Sequence, residues 1–163
     1  MRTMKMRLAV LTLALIAAVP SIARADATAF LGRNTAGDDR SVTRGFAAGV
    51  SLLVVGFEFE YANTSEDELD AGPGLRTYMG NGLLQTPFPI AGFQLYATAG
   101  GGVYQETLLT RSETHVGINV GGGVKMSLIG PLRLRLDYRV FTLKGEPLHA
   151  NPQRFYAGLN LKF

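Results

Sequence analysis

Few residues in this chain could do catalytic chemistry, and the first to weigh are the two histidines. His115 shares a stretch with Glu113 and Ser112, the residue types of a Ser/His/acid hydrolytic set. Such a set works only when the serine lies within hydrogen-bond reach of the imidazole. His149 stands among prolines in a polar segment, a setting in which a histidine is structural. The acidic run at 66–70 lacks the alternating ligand order and central glycine of a calcium loop, so it reads as a solvated loop that could at most bridge divalent cations weakly. The glycine clusters at 100–102 and 121–123 are not phosphate cradles, because no helix follows either one. They suit curved strands that leave room for long side chains across a lumen. The sequence supplies no nucleophile set, metal site or cofactor site, so no enzyme activity is expected.

The charged residues instead alternate with apolar ones. Arg133, Arg135, Asp137 and Arg139 interleave with Leu132, Leu134, Leu136, Tyr138 and Val140, and Glu58 and Glu60 interleave with Phe57, Phe59 and Tyr61. Period two places the two sets on opposite faces of a strand. Arg76, Lys125 and Arg154 are assigned to the same charged face on three further strands. In residues 154–163, Phe155, Ala157, Leu159, Leu161 and Phe163 form an apolar face opposite Arg154 and Lys162.

The elements that carry these faces follow a leader. Arg2, Lys5 and Arg7 precede an uncharged run from 8 to 19, and Ala23-Arg24-Ala25 follows. These are the three parts of a secretory signal peptide, whose apolar run is too short for a membrane helix. We assign 1–25 to a cleaved leader and 26–163 to one mature domain. Four of the sixteen basic residues leave with the leader and none of the thirteen acids does, so the net charge of +3 becomes −1. Nucleic-acid binding is not expected. With no cysteine, an exported domain must be held by its own hydrogen bonding or by a membrane.

Turn residues divide the mature chain into eight β segments, at 28–33, 46–53, 56–62, 74–84, 92–105, 114–127, 132–143 and 154–163. The connections are long and polar after the first, third, fifth and seventh segments and short after the others. The expected fold is all-β, an eight-stranded antiparallel up-and-down transmembrane β-barrel with both termini periplasmic. A soluble lipocalin-like barrel would hide the apolar faces and show the charges, and periodicity alone does not separate the two.

Ending on an aromatic residue, with apolar residues two, four, six and eight positions before it, 154–163 resembles the closing strand of bacterial outer-membrane β-barrels. In that family the pattern is also the signal read by the barrel-assembly machinery. The mature chain as a whole resembles small barrels of the OmpA and OmpX type, though it stops at the barrel, so no peptidoglycan tether is expected. The resemblance implies a lumen plugged by an ion-pair network, here Glu58, Glu60, Arg76, Lys125, Arg133, Arg135, Asp137, Arg139 and Arg154. Eight-stranded lipid A deacylases carry His and Ser two apart on one strand face, whereas position 117 here is glycine. The expected role is structural or adhesin-like in the bacterial outer membrane, with outer-membrane lipids, the assembly machinery and an extracellular loop ligand as partners. A narrow gated pore is the alternative; a lipid-modifying enzyme or a soluble binder ranks below it.

Overall fold

A computed structural model describes residues 23–37, 39–65, 74–108, 111–147 and 149–163. The leader assignment lies outside the described residues up to position 22, as does the acidic run at 66–70. Eight strands follow one another: β1 (Ala23–Ala36), β2 (Asp39–Leu52), β3 (Val55–Thr64), β4 (Gly74–Gln85), β5 (Phe93–Leu108), β6 (Arg111–Ile129), β7 (Leu132–Leu143) and β8 (Gln153–Lys162). Each pairs antiparallel with the next, and β8 pairs with β1 from Asp26↔Lys162 to Thr35↔Gln153, which closes the barrel. Closure leaves no unpaired sheet edge. We call the end at which β1 starts and β8 finishes the terminal end and the opposite one the distal end.

The alternation in the sequence becomes alternation in burial, most cleanly on β3, β4, β7 and β8. Its sense is the inverse of a water-soluble barrel. Phe57 is 71% exposed on the outer wall, whereas Glu60 is 0% exposed in the lumen. Lumenal apolar residues gather toward the distal end, where Leu75, Met79, Tyr104, Phe141 and Leu143 pack together. Phe30, Ala62 and Tyr156 form a second group, with the Phe30 and Tyr156 rings stacked at 4.0 Å.

Two of the expected long loops are strand instead. β1 runs to Ala36 and β2 starts at Asp39, and β5 runs to Leu108 with β6 starting at Arg111. Polarity alone does not end a strand: Asn34 and Thr43 still join the ladder and point inward. Two distal connections are therefore tight hairpins, and the longer ones are 65–73 and 144–152. At the terminal end, 53–54 and 130–131 are two-residue turns, but the prolines in 86–92 make that connection longer than the distal hairpins.

Candidate functional site

The lumen holds two linked layers of charge, one at the terminal end and one in the middle. At the terminal end Asp26 of β1 accepts from Lys125 Nζ at 2.6 Å and Arg133 Nη2 at 3.1 Å. Arg133 also donates to Asn160 Oδ1 at 2.7 Å and Gln94 Oε1 at 3.0 Å. In the middle, Arg135 grips Glu58 with both terminal nitrogens and reaches Asp137 Oδ2 at 3.0 Å. Its Nε donates to the Tyr96 hydroxyl at 2.7 Å, and that hydroxyl donates to Asp137. Arg139 bridges Glu58 Oε1 at 3.0 Å, Glu60 Oε2 at 3.1 Å and Asp137 Oδ1 at 2.8 Å.

Above them, Arg154 donates to Glu60 Oε1 at 3.0 Å and Thr77 Oγ1 at 3.1 Å, with its guanidinium 4.5 Å over the Phe141 ring. The central layer is neutral, three carboxylates (Glu58, Glu60, Asp137) against three guanidiniums (Arg135, Arg139, Arg154). These groups touch directly across the lumen, joining β3 to β7 and β8. The space between Asp26, Glu58 and Lys125 is about 10 Å³, at the limit of what one water needs.

Eight of the nine residues assigned to this network face the lumen; Arg76 does not. It is exposed on the outer wall of β4, because the inward parity of that strand belongs to Leu75, Thr77, Met79 and Asn81. The lumen gains instead an acid that was not assigned, Asp26, which pairs with Lys125 and Arg133, adjoins the leader assignment and sits near the start of the first strand. Gln94, Asn160 and Thr77 also join the network unassigned, as do Tyr96 and Tyr156, the latter donating to Glu60 Oε2 at 3.4 Å, although each tyrosine shares strand parity with a charged or amide lumenal neighbour.

The glycine clusters fit this packing. A Cβ on Gly121 would stand 2.9 Å from Arg139 Cγ, and one on Gly123 would stand 2.8 Å from Tyr96 Cζ. Phe155, Ala157, Leu159, Leu161 and Phe163 all face outward and are exposed.

An all-antiparallel closed barrel of eight strands, apolar outside and ion-paired inside, matches solved structures along nearly its whole described length. This is the fold of the small bacterial outer-membrane barrels. Neisserial surface protein A matches with a TM-score of 0.67 and 15% identity over 86% of this chain and 97% of that one. Ail, the attachment invasion locus protein of Yersinia pestis, matches at 0.54 and 15% over 87% and 99%. The outer membrane enzyme PagL matches at 0.51 and 12% over 83% and 98%. No protein-family model matches the sequence, and no curated protein does.

Since one neighbour is an enzyme, the surroundings of His115 matter. Its Nε2 lies 3.5 Å from Glu113 Oε2 in a half-exposed setting at the distal end of β6. Ser112 falls on the opposite strand face and accepts from Gln105 Nε2 at 2.8 Å. A Cβ on Gly117 would meet Leu143 Cδ2 at 3.0 Å, so a side chain there would crowd β7. Ser112 and His115 thus do not form a nucleophile–base pair.

Proposed function

We propose that the chain is an integral outer-membrane barrel, plugged by its own ion pairs, that acts as a structural or surface-interaction protein through its distal end. The observation that carries this reading is the inversion of polarity. A band of Phe57, Phe59, Leu159 and Leu161 faces out while Glu58, Glu60, Arg135 and Arg139 are sealed within. In hydrocarbon only helices and closed barrels satisfy every backbone group, and among the described residues no helix is long and apolar enough to span. In this reading both termini are periplasmic, outer-membrane lipids surround the wall, and the assembly machinery reads the outward residues of β8. The hairpins β1–β2 and β5–β6 and the connections 65–73 and 144–152 then face outside the cell, where an extracellular ligand would meet them. The name of Ail, the attachment invasion locus protein, which has the same fold, is in keeping with that role.

Planar-bilayer recording of the reconstituted chain tests the plug. A silent membrane is expected, and discrete conductance steps would favour a narrow pore. Shortening 144–152 should reduce cell-surface attachment without altering the heat-shifted gel band of the folded barrel.

A further inference from the structure

The outer wall carries an asymmetry of charge. Among the described residues, the outward-facing strand positions hold four formal charges, all arginines and all toward the distal end: Arg33 on β1, Arg40 and Arg44 on β2 and Arg76 on β4, each exposed. Arg44 is in register with Asn63, Asn63 with Arg76, and Arg76 with Gln105, so the wall presents a continuous polar row. The next outward row toward the terminal end is Phe46, Tyr61 and Tyr78, with neighbouring ring centroids 5.4 and 5.0 Å apart. Aromatic girdles of such barrels lie at the headgroup level. Two residues further along a strand is roughly 7 Å, so the arginine row stands where lipid phosphates lie.

Beneath Arg44 and Asn63 runs an apolar groove of about 700 Å³. Its floor includes Ala29, Gly45 and Ala157, and Phe46 and Leu159 form part of its walls. Small residues between bulky ones leave a channel on the lipid face that an acyl chain fills. Guanidinium groups grip phosphate oxygens in pairs. Arg44 and Arg76 are two strands apart, about 10 Å, which suits a headgroup with two separated phosphates better than a single phosphodiester.

We infer that this wall binds lipid A of the outer leaflet, with an acyl chain in the groove and its phosphates on Arg44 and Arg76, Arg33 flanking them. The inference rests on the membrane reading above. It is tested with the full chain in phosphatidylcholine nanodiscs doped with bisphosphorylated lipid A, dephosphorylated lipid A or phosphatidylglycerol, retained lipid being weighed by native mass spectrometry. Bisphosphorylated lipid A should be retained in preference to the other two. Arg44→Gln with Arg76→Gln should lower retention about twenty-fivefold, some fivefold per arginine. Ala29→Phe, which fills the groove and leaves the charges in place, should lower it too. Equal retention of the three lipids, or unchanged retention by both variants, overturns the inference while the barrel reading stands. A chain that gives no heat-shifted folded band in nanodiscs overturns both.

Discussion

Replacing Glu58 with alanine tests the central layer most directly. The carboxylate is 3% exposed and accepts from Arg135 Nη1, Arg135 Nη2 and Arg139 Nη2. Its removal leaves two carboxylates against three guanidiniums in a layer shielded from water. Arg135 keeps Asp137 and Tyr96, and Arg139 keeps Glu60 and Asp137, so neither cation is stranded, but the layer carries an uncompensated charge. Breaking a buried pair on one side costs about 3–5 kcal/mol, whereas replacing both partners with apolar groups is often close to neutral. Glu58→Ala should therefore lose about 3 kcal/mol. Glu58→Ala with Arg135→Met restores neutrality and should lose less than the two single changes together, by about 2 kcal/mol. The chain has no tryptophan, so urea unfolding in detergent micelles is followed by far-ultraviolet circular dichroism and by the heat-shifted gel band. A loss below about 1 kcal/mol for Glu58→Ala, or strict additivity in the double variant, would refute the clamp across the lumen.

Three further outcomes follow from the same geometry. Arg76→Ala should leave the unfolding midpoint unchanged, while Arg154→Ala, which exposes Glu60 to an unbalanced partner set, should lower stability by about 3 kcal/mol; urea titration of both variants distinguishes an outer-wall arginine from a lumenal one. Gly123→Val drives a side chain into the Leu136 carbonyl as well as the Tyr96 hydroxyl and ring and should cost about 3 kcal/mol, read as an earlier loss of the folded gel band on heating. Deleting Phe163 should cut the fraction of chain recovered in the outer-membrane fraction several-fold while barrel refolding in detergent is retained; recovery equal to the full chain would count against β8 as an assembly signal.

Much of the lumen was legible from parity. On β7 the charges sit at every second position from Arg133 to Arg139, and a strand offers only two faces, so all four had to share one. Arg76 differs from that expectation because neither face of β4 is uniform: the inward set mixes Leu75, Met79 and Leu83 with Thr77 and Asn81, the outward set is thinned by Gly80 and Gly82, and charge alone does not say which parity faces the lumen. Asp26 escaped notice because it borders the leader assignment and its partners, Lys125 and Arg133, lie about a hundred residues away. The hairpin at 37–38 was read as a loop because its flanking residues are polar, yet beyond the apolar band polar side chains and a continued ladder are compatible.

Eight amphipathic segments and the shared apolar face of Phe155, Ala157, Leu159, Leu161 and Phe163 were properties of the sequence alone, since a period of two forces each strand to divide its residues between two faces. Which face turned inward, and which charges met, required closure. Pairing β8 with β1 brings β3 opposite β7, and only then do Glu58 and Arg135, 77 residues apart, become one interaction. The charged row on the outer wall is likewise a product of register, because Arg44 and Arg76 adjoin Asn63 only once β2, β3 and β4 are laid side by side.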